Sequence, residues 1–191
     1  MTQSKTELTK WHLAEVTTSS KGQKSCQLTA DHKPVTFILG SLLKTRFGAN
    51  TYDKNVESTR KNLDFDVTSD KQIQALLGEI DRWTLQYILD NGGKIMKKLM
   101  SKEVIKEHYK PLLNSYGDRL SVKTKINTGG PRVCRCWDED KNPRDLPENW
   151  LSNVYDVKVS RPQLWIMGSD FGWNLECIDL LVRPEDVNCP F

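Results

Sequence analysis

The stretch RLSVKTKINTGGPRVCRCW, residues 119–137, alternates apolar with polar and basic side chains. The apolar series is Leu120, Val122, Thr124 and Ile126, and the series between them is Arg119, Ser121, Lys123 and Lys125. Successive side chains of a strand point to opposite faces, so this pattern predicts a strand with one apolar and one basic face. The following NTGG, residues 127–130, suits a tight turn because Gly tolerates positive φ. We therefore expect an antiparallel hairpin whose return strand carries Val133, Arg135 and Trp137 on one face.

The basic face of this hairpin has two interpretations. Exposed lysines protect the edge of a sheet from pairing with another chain, which would make the face merely solvated. Alternatively, the same lysines bind an anionic partner. The rest of the sequence must decide between them.

Length and composition favour one domain over residues 1–191, with a core built from apolar and aromatic side chains, among them 6 Trp, 5 Tyr and 5 Phe. Its predicted parts are N-terminal strands (10–66), a helical insert (69–115), C-terminal strands (119–183) and a short tail (184–191). The net charge is only +3, so any nucleic-acid partner must be recognised by a local patch.

The predicted compartment follows from what the sequence lacks. No apolar run approaches the length of a membrane span, so we expect no membrane insertion. The beginning, MTQSKTELTKWHL, has no apolar signal core, so we expect an intracellular protein that is not secreted. The 5 cysteines are scattered, which favours reduced thiols. No second Cys/His pair accompanies Cys134-Arg135-Cys136, so we predict no metal and no cofactor.

The order of predicted elements indicates an α+β fold built on antiparallel sheet. Short strands are expected at 11–16, 24–28, 35–39 and 60–66. A long helix is expected over 69–93, with Ser69 as N-cap and Asn91-Gly92-Gly93 as its stop. A second helix is expected from Ser101 to about Tyr109, closed by Pro111. Strands return at 154–159, 163–167 and 173–182.

We find no motif of a nucleotide-binding loop or a nucleophile elbow, so we predict that the chain is not an enzyme and has no catalytic residue. Binding of single-stranded nucleic acid instead needs cations along a groove and aromatic faces on which bases stack. The predicted nucleic-acid-binding residues are Lys123, Lys125, Arg132, Arg135, Trp137, Arg60, Lys61, Lys158 and Arg161. Trp137 is the expected stacking residue, whereas Trp165 and Trp173 lie in apolar runs and are expected in the core. Lysines around the second helix (Lys94, Lys97, Lys98, Lys102, Lys106 and Lys110) form either a solvated face or a surface that follows phosphates.

The layout of residues 35–183 resembles a known family. The carrying features are Ile80-Asp81, Tyr109-x-Pro111-Leu112, Leu120-x-Val122-Lys123-x-Lys125-Ile126, Asp138-x-Asp140, Leu164-Trp165-Ile166 and Phe171-Gly172. They resemble the single-stranded-DNA-binding proteins, and uncharacterised relatives, of large nucleocytoplasmic DNA viruses and phages. The resemblance implies an OB-like antiparallel β-barrel with two helices inserted between the N-terminal and C-terminal strands. It also implies backbone contacts at Lys123 and Lys125 and a groove reaching Arg132 and Arg135.

The resemblance further implies an acidic C-terminal tail ending in an aromatic residue. Here the tail 184–191 ends in Phe191 but is short and has only two acids.

The predicted function is therefore non-catalytic, sequence-tolerant binding of single-stranded nucleic acid, with DNA favoured over RNA by the resemblance. The alternative is a structural or interaction subunit of a virion or large assembly, whose basic face meets an acidic partner protein. Self-association stays open in both cases.

Overall fold

The computed structural model describes residues 10–20, 22–51, 58–96 and 100–185. Its strands are β1 Trp11–Leu13, β2 Thr17–Thr18, β3 Lys24–Ala30, β4 Lys33–Pro34, β5 Thr36–Thr45, β6 Arg60–Asp66, β7 Tyr109–Lys110, β8 Leu113–Tyr116, β9 Arg119–Asn127, β10 Arg135–Trp137, β11 Pro143–Arg144, β12 Asn153–Met167 and β13 Asp170–Pro184. Helices α1 Lys71–Ile95 and α2 Lys102–His108 lie between β6 and β7. The α+β class and the placement of the helices between two sets of strands are confirmed.

Helix α1 begins and ends slightly differently from the expectation. Its N-cap is Asp70 rather than Ser69, and the Asp70 carboxylate accepts hydrogen bonds from the backbone N–H groups of Gln72 and Ile73. The helix also continues through Gly92-Gly93 to Ile95. Glycine costs only about 1 kcal/mol per helical position, and here Gly92 and Ile95 are buried, so packing of the last turn offsets that cost.

Five strands (β12, β5, β6, β9 and β13) form a closed circuit of ladders. β12 pairs with β5, β5 with β6, and β6 with β9, all antiparallel. β9 then pairs in parallel with β13, and β13 pairs antiparallel with β12, which closes the circuit. The expected antiparallel sheet is therefore closed by a parallel ladder between β9 and β13. The sequence pattern could not predict this, because side chains alternate between faces in the same way in parallel and antiparallel strands.

The expected hairpin over 119–137 is wrong. β9 pairs with β6, β8 and β13, whereas β10 pairs in parallel with β13 and antiparallel with β11. After the turn the chain continues along the same edge of β13 that β9 occupies, because β12 pairs with the other edge, and Cys134 N donates to Asn127 O at 2.8 Å. The face assignment of β9 itself is confirmed, since Val122, Thr124 and Ile126 are buried and Lys123 and Lys125 are only half-buried.

The core lies inside the closed sheet and under α1. The largest fully buried side chains include Tyr155, Phe65, Phe171 and Leu164. Helix α1 contributes a buried stripe at helical spacing: Ile73, Leu77, Ile80, Thr84 and Ile88. Among the described residues, no helix is both long and apolar enough to cross a membrane.

Candidate nucleic-acid interface

The basic face of β9 continues directly onto its neighbour β6. In the antiparallel register Lys125 lies opposite Asn62, and Lys123 lies opposite Asp64. Arg60, two residues before Asn62, shares this face because side chains of a strand alternate with a period of two. The opposite faces of the same two strands carry core residues, so these polar side chains point outward by necessity. We call Arg60, Lys123 and Lys125 the basic floor.

The basic floor lines a surface groove of about 900 Å³. The neighbouring strands also line the groove, through Asn174 on β13, Gln163 and Trp165 on β12, and Ser25 on β3. Gln163 pairs with Asn174 and donates from Nε2 to Ser25 Oγ at 2.8 Å, which ties these strands together at the surface. Lys110 and Asn114, from the chain after α2, also line the groove. The groove therefore combines cations, amides and two indoles, Trp165 and the mostly buried Trp173, on a continuous surface.

The electrostatics of the floor are unusual for a surface lysine pair. Lys125 is half-buried and donates to Asn62 Oδ1. Burial lowers the pKa of Lys125, and the neighbouring charges of Arg60 and Lys123 lower it further, while Asp64 opposes them. The pKa of Lys125 is therefore lowered mainly by burial and secondarily by its two positive neighbours.

Asp64 lies within this positive field. Its Oδ1 atom is buried and has no hydrogen-bond partner among the described residues. Burial raises the pKa of Asp64, although Lys123, Lys125 and Arg46 act in the opposite direction. The carboxylate therefore reduces the positive charge of the floor whenever it is ionised.

Of the two tryptophans that line the groove, Trp165 is the more exposed. It is half-buried, so the expectation that it belongs to the core is wrong, whereas Trp173 is buried as expected. The signal was present in the sequence: Leu164 and Ile166 are both core residues, and the residue between them on a strand must face the other way. Gly172 pairs with Trp165, and a Cβ added at Gly172 would lie 3.0 Å from Trp165 Cζ2, so the glycine provides the space for the ring.

The segment that carries Lys110 is fixed by buried polar contacts. The Asp81 carboxylate accepts from the Tyr109 hydroxyl at 2.6 Å and from Leu112 N at 3.2 Å. Burial raises the pKa of Asp81 even though both hydrogen bonds act to lower it. Lys110 itself forms an ion pair with Asp170 at 3.3 Å. The lysine thus reaches the groove from a fixed backbone.

The other lysines considered around α2 do not share this position. Lys94, Lys102 and Lys106 are exposed on the helices. Lys97 and Lys98 lie outside the described residues.

Three of the predicted binding residues gather at a second place, around Asp179. Arg135 contacts the Asp179 carboxylate twice, at 2.7 Å from Nε and 2.8 Å from Nη2. Trp137 donates from Nε1 to the same carboxylate at 3.2 Å, and Lys158 lies 3.9 Å away. The Arg135 guanidinium is 5.9 Å from the centre of the Trp137 ring. Asp179 therefore offsets the charge of this cluster within the protein.

The remaining predicted residues lie apart from both clusters. Arg132 is exposed in the segment between β9 and β10. Lys61 pairs with Ile126 and shares its face, which is opposite to that of Arg60. Arg161 lies within β12, but the prediction for its side chain falls outside the described residues, as does the prediction for the tail from residue 186 onward.

No family model matches the chain, and no curated protein matches its sequence. Solved structures do resemble it. The single-stranded DNA-binding protein from bacteriophage Enc34, in complex with ssDNA, matches with a TM-score of 0.50 and 8% identity over 84% of this chain and 91% of that one. The gp2.5 protein, a single-stranded DNA binding protein encoded by bacteriophage T7, matches with a TM-score of 0.52 and 13% identity over 82% and 96%.

At this level of identity the similarity establishes the fold. The chain has the OB-like α+β fold of these phage proteins, as its sequence resemblance implied.

Proposed function

We propose that this protein binds single-stranded DNA without catalysis, in the groove between the basic floor and Trp165. The observation that carries the proposal is the placement of the three floor cations and Trp165 along one groove. The solved structures with the same fold are single-stranded DNA-binding proteins, which supports the same class of ligand here.

The chemistry of the groove favours a single strand over a duplex. Lysine and arginine side chains neutralise phosphates without reading sequence. Trp165 needs an unpaired base, because the face of a paired base is covered by its neighbours in the stack. Stacking of one base on an aromatic side chain contributes about 1–3 kcal/mol, and polar groups such as Gln163 and Asn114 replace water around the strand.

The first experiment is a fluorescence-anisotropy titration of labelled oligo(dT), with a duplex of the same length as control, at several salt concentrations. We expect tighter binding of the single strand, with log K falling by about 0.7 per neutralised phosphate against log salt. Absence of binding at low salt would exclude the proposal and favour the alternative of an interaction subunit.

The floor is tested by Lys123→Gln combined with Lys125→Gln. Glutamine is preferable to glutamate, because a second carboxylate beside the half-buried Asp64 would endanger folding. The salt slope should fall by roughly 1.4, which corresponds to two phosphates. Lys71→Gln, on the exposed start of α1, is the matched control and should leave the slope unchanged.

The stacking residue is tested by comparing Trp165→Ala with Trp137→Ala. We expect Trp165→Ala to weaken binding by about 1–3 kcal/mol and Trp165→Phe to retain part of the affinity. Trp137 already donates to Asp179, so Trp137→Ala should have the smaller effect. A larger loss of affinity for Trp137→Ala than for Trp165→Ala would place the binding surface at Arg135, Trp137 and Lys158 around Asp179 instead.

A further inference from the structure

A second aromatic and basic group lies near the groove and is not among its lining residues. The Arg46 guanidinium lies 5.0 Å from the centre of the Phe47 ring and 4.6 Å from the centre of the Tyr116 ring. Phe47 is 61% exposed and Tyr116 is 70% exposed. We call these three residues the Arg46 cluster. Large aromatic side chains exposed side by side leave apolar surface uncovered, which commonly marks a binding site.

The Arg46 cluster lies on the same surface as the basic floor. On β8, Tyr116 is two residues after the groove residue Asn114, and both share a face. Their register partners on β9 are Ser121 for Asn114 and Arg119 for Tyr116, which continue the face of Lys123.

The link from β5 to β6 gives an independent measure of the same proximity. Arg46 N donates to Asp64 O at 3.2 Å, and the Arg46 charge acts on the carboxyl groups of both Asp64 and Asp66. Asp64 in turn lies opposite Lys123. Arg46 is therefore next to the floor, and the two aromatic rings extend the surface beyond it.

The turn that carries Arg46 and Phe47 is fixed in advance. Gly48 N donates to Thr45 Oγ1 at 3.1 Å, and Thr45 is buried. Gly48 has a φ of +66° and lies against Trp150, since an added Cβ would be 3.0 Å from Trp150 Cβ. A binding group held in place before the ligand arrives loses less entropy on binding than a mobile one.

Resting on the proposed function, we propose that the Arg46 cluster is a second stacking site for nucleobases. A strand whose phosphates follow Lys125 and Lys123 leaves the groove over Tyr116 and Phe47, where an unpaired base lies against an aromatic ring. Arg46 and the exposed Arg119 beside Tyr116 neutralise the accompanying phosphates. A short oligonucleotide occupies only the groove, and a longer one gains the second site.

The test is a length series of oligo(dT) over about 4 to 16 nucleotides, the range of site sizes found for such folds. Tyr116→Ala and Phe47→Ala should each leave the affinity for the shortest bound oligonucleotide unchanged. Each should weaken the longest by about 5- to 100-fold, the effect of losing one stacked base. Tyr116→Phe should retain most of the affinity because it keeps the ring. Leu151→Ala, which removes another exposed apolar side chain, is the matched control and should have no effect at any length.

An abasic scan then identifies the base involved. One abasic residue placed at the nucleotide over the cluster should weaken binding to the unaltered protein, and Tyr116→Ala should add no further loss with that oligonucleotide. If the protein binds oligo(dT) but both alanine variants retain full affinity at every length, the second site is overturned while the proposed function stands. If the unaltered protein binds no oligonucleotide, both fail together.

Discussion

Gly172→Ala probes how closely the groove is packed. The backbone φ of Gly172 lies outside the left-handed region, so an alanine can adopt the same backbone conformation. The effect of the substitution therefore depends on the space around the added Cβ. The added Cβ would lie 2.9 Å from Lys110 O and 3.0 Å from Trp165 Cζ2. The first contact is with backbone, which cannot rotate away, and the parallel pairing of β7 with β13 must therefore open.

We expect two consequences of this substitution. Overpacking of this kind lowers the free energy of unfolding by about 1–3 kcal/mol, to be measured by urea denaturation. Displacement of Trp165 and Lys110 should also weaken oligo(dT) binding, by up to the roughly 1–3 kcal/mol that one stacked base contributes, in the anisotropy assay.

Gly78→Ala is the matched control for the same chemical change. Gly78 lies inside α1, and the nearest atom to its added Cβ is Arg82 Nη1 at 3.8 Å. Alanine should stabilise the helix here by about 0.5–1 kcal/mol and leave DNA binding unchanged. Equal stability and equal affinity of Gly172→Ala and the unaltered protein would refute the close packing of Gly172 against Trp165 and Lys110.

Two further substitutions test one buried and one half-buried polar group. Thr84→Val should lower the free energy of unfolding by about 1–3 kcal/mol, because it removes the hydroxyl that accepts from the buried Trp173 Nε1–H at 2.9 Å. The double variant with Trp173→Phe should lose less stability than the sum of the two single variants. Strict additivity in urea denaturation would contradict the hydrogen bond. Asp64→Asn should tighten oligo(dT) binding by roughly 1 kcal/mol, because it removes a negative charge beside Lys123 and Lys125. Burial raises the pKa of Asp64, so affinity of the unaltered protein should fall as pH rises through that pKa and the carboxylate ionises; the same pH dependence in Asp64→Asn would assign it elsewhere.

Local patterns predicted the elements well where burial on one face sets the pattern. The strand Arg60–Asp66 has the predicted bounds, and β9 buries Val122, Thr124 and Ile126 as its alternation requires. The helix at Lys71–Ile95 was predicted from its apolar stripe, although its end was placed too early at Gly92-Gly93. Helix ends depend on what the last turn packs against, and that contact is distant in sequence.

The candidate site was predicted only in part. The structure does bring together Lys123, Lys125 and Arg60. Their common face was predictable, because residues that alternate with buried ones on a strand must point outward. Trp165 was assigned to the core because its apolar neighbours outweighed its alternation. Arg135 and Trp137 were assigned to the partner strand of β9, whereas they lie on β10, which follows β9 along the same edge of β13, beside Asp179.

By itself, the sequence determined which face of each strand is basic, since alternation and helical spacing are properties of neighbours along the chain. Only the tertiary structure decided which strands lie side by side. Pairing between β6 and β9, or between β10 and β13, joins residues far apart in sequence, and many pairings satisfy the same alternation. The groove contains Trp165 but not Trp137 because its lining is set by which strands pair, and the alternation of side chains along each strand does not determine that pairing.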